Sequence, residues 1–354
     1  MQSMFIAAGS RALRAAVALA ALPAVAACVD EATAPLARSR ASAARAVPTI
    51  TMTDLMTDHR GFGQALGVNE RGQIVGFTYT EGAGYHAVLW DGATSTELPF
   101  GVPATGAFAY AVYDAGQIVG FLSSYLPLRA VLWDDGTVLE LGTLGLASDA
   151  RAINDRGQVA GGSLLSLHNS RAFLWEAGVI TDLGALPDGK ESFAFGINAR
   201  GQVVGYSTQA SGVRRAVLWA NGQIVDLGTL LGGESDASAA NAINNRGQVV
   251  GYSGAAGGAT HAFLWEAGAV TDLGTLGGSY SAALAIGPNG RVVGESTTAG
   301  GETHAFLWDR GVMTDLGASG ASSSAAGISA AGRIVGFSGG TGRDQRRPVL
   351  WIVK

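Results

Sequence analysis

Residues 241–278 read NAINNRGQVVGYSGAAGGATHAFLWEAGAVTDLGTLGG, one full copy of a pattern that fills the chain from about residue 50 to its last residue. Four short apolar runs stand in it. Run a ends at Ala242, Ile243 and Asn244; b is Gln248, Val249, Val250 and Gly251; c is His261, Ala262, Phe263, Leu264 and Trp265; d is Thr271, Asp272 and Leu273. Each is too short for a helix and rich in Val, Ile, Leu or aromatic residues, so each predicts a strand. Asn244, Asn245, Arg246 and Gly247 supply turn chemistry between a and b. Between c and d, Gly268 stands three residues past the Trp, where a hairpin loop needs a left-handed residue.

Working outward, the same copy recurs at a fixed step. All seven tryptophans, Trp90, Trp133, Trp175, Trp219, Trp265, Trp308 and Trp351, are spaced by 43, 42, 44, 46, 43 and 43 residues. A Gly followed by Gln or Arg, from Gly72 to Gly332, keeps nearly the same step. Four antiparallel strands every 40 to 45 residues is the signature of a propeller blade. The last copy stops at Lys354 without a run d, and the first is preceded by an orphan d at Thr53, Asp54 and Leu55. The expected architecture is therefore all-β, a seven-bladed β-propeller with four strands per blade, the ring sealed by residues 50–56 completing the last blade. Such sealing removes exposed edges. A β-solenoid is the alternative, and it has no use for a complementary orphan strand.

Run a carries small residues at two positions: Ala at 65, 109, 150, 194, 240, 283 and 325, and Ala or Gly two residues later. Strict alternation would put both on one face and Val68, Val112, Ile153 and their counterparts on the other. Crowding of this kind predicts that a is the innermost strand.

Composition agrees with many tight turns. Of 354 residues 53 are Gly, 47% are hydrophobic and 14% charged, enough for a large core and unlike a disordered chain. Residues 1–27 contain Arg11 and Arg14, then an apolar run from Ala15 to Ala27, the charged and hydrophobic regions of a secretory signal. Without that segment the chain holds 21 basic and 28 acidic residues, so nucleic acid is a poor candidate partner, because neutralising phosphates needs a basic face. Cys28 is the only cysteine, which excludes an internal disulfide. Val25, Ala26, Ala27 and Cys28 resemble the lipobox of bacterial lipoproteins, which implies acylation of Cys28. The other reading makes Ala24, Val25 and Ala26 an ordinary cleavage site. Residues 28–48, rich in Ala, Ser, Arg and Pro, read as a tether, leaving 49–354 for the repeat domain. A monomer is expected, touching membrane only through the N-terminal anchor.

The repeated residues resemble the HAF-type extracellular repeats, named for a His-Ala-Phe triplet that stands here as His261, Ala262, Phe263 and as His304, Ala305, Phe306. The match spans roughly residues 50–354 and includes the run from Asp272 to Gly278. Arg129, Arg171, Arg215 and Arg347 replace the His, and Pro348 replaces an Ala. The resemblance implies an exported repeat protein and carries no activity.

Candidate chemistry divides into repeated and unrepeated residues. Each Trp ends an apolar strand, and burying one is worth roughly 4 to 6 kcal/mol gross, so blade packing is expected rather than sugar stacking. A base four residues before Trp and an acid seven after it (Glu97, Glu140, Asp182, Asp226, Asp272, Asp315, with Asp54 in the sealing strand) predict cross-strand pairs. The sequence Gly336, Phe337, Ser338, Gly339, Gly340 matches a nucleophile-elbow pattern, but Ser207, Ser253 and Ser296 hold the same place in other copies, which marks it as structural. His59, His86, His168, His261 and His304 show no metal-ligand spacing, and no cofactor motif is present. A central active site is disfavoured, because run a is mostly Ala, Gly, Ser and aliphatic, with Asp149 the main acid beside it.

Loop lengths point to one face. From the acid of run d to the next repeated Gly the distance runs 19, 17, 19, 21, 18 and 17 residues, whereas Trp to acid is always seven. Variation thus falls on the d–a and b–c loops, where function concentrates. The candidate ligand residues there are Tyr79, Tyr85, Phe100, Tyr125, His168, Asp188, Lys190, Glu234, Asp236, Glu302, Arg343 and Asp344. These allow a noncatalytic binding or scaffold module taking a glycan or protein at the cell surface. The alternative is an exported polysaccharide hydrolase or lyase using loop carboxylates.

Overall fold

In the Trp265 unit the c strand Thr260–Glu266 returns as the d strand Ala269–Asp272 through a two-residue turn. Ala267 and Gly268 both have positive φ, 50° and 91°, which is the type I′ geometry that matches strand twist. The b strand Val249–Gly254 pairs antiparallel with c, placing Tyr252 opposite Ala262 and Val249 opposite Trp265. The a strand Ser238–Ile243 pairs with b in turn. The a–b turn is held by Asn244, whose Oδ1 accepts the N–H groups of Arg246 and Gln248 at 3.0 and 3.1 Å. The other Trp residues mark units of the same plan.

The computed structural model describes residues 49–354 except 57–60, 125, 126, 168 and 234, and apart from the side chain of Arg343. The expected signal (1–27), the tether (28–48) with Cys28, and the candidates Tyr125, His168 and Glu234 lie outside the described residues. Residues 48–354 form one unit, all-β apart from two 3-10 turns at Ala256–Gly258 and Arg343–Gln345 among the described residues.

Every a strand carries a β-bulge, which corrects the expectation of strict alternation. The register shifts between Ala65 and Gly67, Ala109 and Ala111, Ala150 and Ala152, Ala194 and Gly196, and at the corresponding places in the remaining units. The extra residue breaks the period of two. Ala65 lies opposite Gly76 and Gly67 opposite Val75, so the two small residues face opposite ways, and Ala65 shares its face with Val68. Gly67 is small because the next unit's a strand passes against it: a Cβ there would lie 2.7 Å from the Tyr110 carbonyl oxygen.

Core clusters form between units. Val119, Ala130 and Leu132 of the Trp133 unit pack with Ala150, Phe173 and Trp175 of the next. Trp90, Trp133, Trp175, Trp219 and Trp351 are buried, and Trp265 and Trp308 are half-buried against the same kind of interface. Strand pairing between units is sparse, as at the single parallel bridges Tyr85–Gly106, Thr260–Tyr280 and Thr303–Ser322, and among the described residues no sheet closes on itself.

The strand Ile50–Asp54 pairs antiparallel with Arg346–Val353, from Ile50 opposite Val353 to Asp54 opposite Val349. It occupies the d position of the Trp351 unit. The Trp351 unit also meets the Trp90 unit: Val335 and Leu350 share a core cluster with Ala65 and Trp90, and the Ala330 N–H donates to Glu70 Oε1 at 2.8 Å.

Candidate functional site

The repeated polar residues are consumed in joining strands. The base on c meets the acid on d in His86–Glu97 (3.1 Å), Arg129–Glu140 (3.1 Å), Arg171–Asp182 (3.9 Å), Arg215–Asp226 (3.1 Å), His261–Asp272 (2.8 Å), His304–Asp315 (2.8 Å) and Arg347–Asp54 (3.0 Å). Where the acid is Asp182, Asp226, Asp272 or Asp315, its Oδ1 also accepts the N–H of the Gly two residues on, at 2.7–2.9 Å. This explains the Asp-Leu-Gly repeat. The Leu between them is half-buried at Leu183 and buried at Leu227, Leu273 and Leu316.

Serines bind one unit to the next in the same way. Ser148, Ser192, Ser238, Ser281 and Ser323, near the start of strand a, accept the N–H of the preceding c-strand Ala at 2.8–3.0 Å and donate to a Gly carbonyl. Ser338 belongs to a second set at the end of strand b. It is fully buried inside Arg333–Gly339 and accepts the Ser319 N–H at 2.7 Å, so the Gly-x-Ser-x-Gly match is no nucleophile elbow. At the a–b turns Asn69, Asn154, Asn198 and Asn244 each donate from Nδ2 to a carbonyl of the following unit at 2.9–3.2 Å.

What differs between units collects in two layers near the a strands. The bulge residues are Leu66, Tyr110, Arg151, Phe195, Asn241, Leu284 and Ala326, and all of them line a cavity of about 440 Å³. That cavity lies where the a strands converge and reaches the a–b turns at Asn69, Glu70, Asp155 and Asn245. Next to it, toward the b–c loops, runs a belt of cross-strand pairs: Gln64 with Phe77, Phe108 with Phe121, Asp149 with Gly162, Phe193 with Tyr206, Ala239 with Tyr252, Ala282 with Glu295 and Ser324 with Phe337.

The belt is aromatic on one side. Phe62 stacks on Tyr79 at 4.8 Å, Tyr79 meets Tyr85 at 5.0 Å, Tyr85 meets Phe108 at 5.0 Å, and Phe108 stacks on Phe121 at 4.8 Å. Tyr110 continues the series to Arg151, whose guanidinium lies 4.0 Å from the Tyr110 ring and 5.5 Å from Phe193. Phe193 then meets Phe195 at 5.1 Å, and Phe195 meets Tyr206 at 5.9 Å, with Arg214 over the Tyr206 ring at 4.5 Å. Except for buried Tyr206 and exposed Arg214, these side chains are half-buried, so the belt is partly open to solvent.

Asp149 interrupts the rings. It is 8% exposed, and its Oδ2 meets Arg151 Nη2 at 2.6 Å. Asp149 Oδ1 and Arg151 Nε are buried without hydrogen-bond partners. Burial pushes the Asp149 carboxyl up to about 6, against the opposing pull of Arg151. Burial also raises the Tyr110 hydroxyl, and the Asp149 charge adds to that. On the far side of the belt Tyr280 donates to Glu295 at 3.0 Å, its hydroxyl raised first by burial and then by the Glu295 charge.

Of the loop candidates, the structure brings Tyr79 and Tyr85 together in the belt. Phe100 lies apart, stacked on His86 at 5.6 Å and packed against the core shared by the Trp90 and Trp133 units. Asp188 is exposed with φ 60°, and Lys190 is exposed, its carbonyl accepting from Arg171 Nη1. Asp236 Oδ2 accepts the Gly233 N–H at 3.0 Å. Glu302 accepts from its own backbone and from Thr298 (2.9 Å), which holds its carboxyl below the usual range. Asp344 is exposed in the 3-10 turn with Arg343. Sequence reasoning missed Tyr110, Arg151 and Phe195, although their signal was present: theirs is the position of strand a that changes most from unit to unit.

No family model and no curated protein matches the chain. Among solved structures it is similar to the β-propeller domain of the trilobed protease from Pyrococcus furiosus, which has an open velcro topology (TM-score 0.53, 12% identity, covering 72% of this chain and 81% of that one). It is also similar to a puromycin-hydrolyzing peptidase of Mycobacterium tuberculosis (TM-score 0.56, 15% identity, 83% of this chain), of which it spans 53%. The fold is that of a β-propeller. At such identities the likeness extends to fold alone, and this propeller's chemistry has to be read from its own belt and cavity.

Proposed function

We propose that this chain is a noncatalytic binding module: a seven-bladed propeller of HAF-type repeats, exported and held to a membrane through an acylated Cys28, with its ligand on the aromatic belt. The observation that carries this reading is the division of labour just described. Residues repeated from unit to unit are engaged in strand pairing or packing, while those that vary on and beside the a strands line one cavity and one partly open belt. Seven blades are supported by the pairing of described strands into groups of four around each Trp. Closure is supported by Ile50–Asp54 standing as the fourth strand beside Arg346–Val353, and by the Ala330–Glu70 bond. Export and anchoring rest on residues 11–28 of the sequence.

The mature chain should retain a glycan or protein partner at the cell surface without turning it over. Replacing Tyr79 and Tyr85 together by Ala should weaken retention at least tenfold, about 1.4 kcal/mol. Unchanged retention in that double variant, or release of reducing ends from a retained polysaccharide, counts against the reading. The anchor has its own test, because Cys28→Ser should move the protein from the membrane fraction to the soluble one.

A further inference from the structure

We propose that the belt takes an uncharged oligosaccharide, one hydroxyl of which is held between Asp149 Oδ1 and Arg151 Nε while sugar faces lie on the adjoining rings. The inference rests on the binding-module reading and names its ligand class.

Three independent observations meet at this point. The first is an unused acceptor and an unused donor on two side chains that already touch. Asp149 and Arg151 already share the 2.6 Å contact between Oδ2 and Nη2, yet Oδ1 and Nε are buried and unpartnered. Buried polar groups left unpaired are costly and rare in native proteins, most of all when charged. A hydroxyl both donates and accepts, so it matches the chemistry that both atoms lack. The pair is also neutral as a whole. A ligand carboxylate would meet the Asp149 charge and an ammonium would meet Arg151, so the site disfavours a charge of either sign.

The second is the setting. Tyr110 and Phe193 flank the guanidinium at 4.0 and 5.5 Å, and both rings are half-buried. An aromatic face with a few fixed polar groups beside it suits a ligand with one apolar face and directed hydroxyls. Phe193 also covers the place: a Cβ at Gly162, the cross-strand partner of Asp149, would lie 2.0 Å from its ring. Entry of a hydroxyl therefore requires the Phe193 side chain to turn aside, a change of a kind common at interfaces.

The third is position in the repeat. The counterparts of Asp149 are Gln64, Phe108, Phe193, Ala239, Ala282 and Ser324, none of them ionisable, so nothing in the blade plan asks for this acid.

The test is an array of cello-, xylo-, manno-, malto- and chito-oligosaccharides with uronic-acid and sialylated glycans alongside, probed with the mature chain at pH 7.5. Calorimetric titration of the retained sugar follows. A neutral oligosaccharide is expected to be retained. Its affinity should fall at least tenfold in Asp149→Asn and in Arg151→Lys, the latter keeping the charge and a ring contact while removing the Nε–H. Because Arg151→Lys is the milder change, a native near-UV spectrum in that variant separates lost recognition from lost fold. Unchanged affinity in folded Arg151→Lys overturns the inference and marks the two atoms as an internal water site. Retention of acidic glycans alone, or of no glycan, overturns it as well. In each of those cases the binding-module reading survives if a partner is still retained and still lost in the Tyr79 and Tyr85 double variant.

Discussion

Asp149 carries its carboxyl where burial opposes ionisation, and the sign of the effect follows from the direction of its shift. The folded value, about 6, lies above the ordinary 3.8. Between those values the folded chain holds a proton that the unfolded chain has released, so this residue's contribution to stability falls as pH rises from about 4 to about 6. The loss approaches 3 kcal/mol, at about 1.4 kcal/mol for each unit of pH. Asp149→Asn should remove that fall. Urea titrations of both proteins at pH 4 and pH 7 measure it, and an equal change in the two would show that Asp149 is not the group responsible. Sequence alone placed Asp149 beside strand a but could not show that one oxygen is buried without a partner. Arg151 was marked by the variability of its position, but its place on the cavity wall depends on the bulge, and a string that reads small, large, small does not show an inserted residue.

At the scale of elements the hairpins were the most legible part, because their chemistry is local. Gly three residues past Trp, as at Gly136, Gly178, Gly222, Gly268 and Gly311, does have positive φ. Less legible was the residue before it. Asp135, Ala177, Asn221, Ala267 and Arg310 are left-handed too, with φ between 44° and 54°. Asn tolerates that conformation and Ala does not, at a cost of roughly 1 kcal/mol. Ala267→Asn, which copies the turn at Asn221, should therefore stabilise the protein by about 0.5–1 kcal/mol. Thermal unfolding reads this as a raised midpoint, and a lowered one would contradict the turn assignment. The cross-strand base–acid pairs were also legible from their constant spacing. The belt was legible only at Tyr79 and Tyr85, since the rest of its rings lie inside strands rather than in the loops, and neighbouring units must pack before they meet.

At the scale of the whole molecule, the N-terminal strand ties the first described residues to the last. Beyond its pairing with Arg346–Val353, Thr49 N donates to the Lys354 carbonyl at 3.1 Å and Lys354 N to the Thr49 carbonyl at 3.0 Å. Arg347 reaches Asp54 at 3.0 Å and the Met56 carbonyl at 3.0 Å. A chain lacking residues 50–54 should lose on the order of 5 kcal/mol, at about 1 kcal/mol per hydrogen bond forfeited. It should also self-associate through the strand edge so uncovered. Denaturant midpoints and size-exclusion chromatography test both, and an unchanged midpoint in a monomeric protein would remove the N-terminal strand from any role in holding the Trp351 unit. The orphan run d was readable in sequence because one copy lacked the piece that another had spare.

The hydrogen bonds between Thr49 and Lys354 have a topological consequence. With residues 49 and 354 side by side, a short linker could join them and new termini could be cut at an exposed turn such as Arg310–Gly311. The contacts between neighbouring units would be kept while the order along the gene was rotated. Where such a chain begins is thus a matter of history rather than of mechanics.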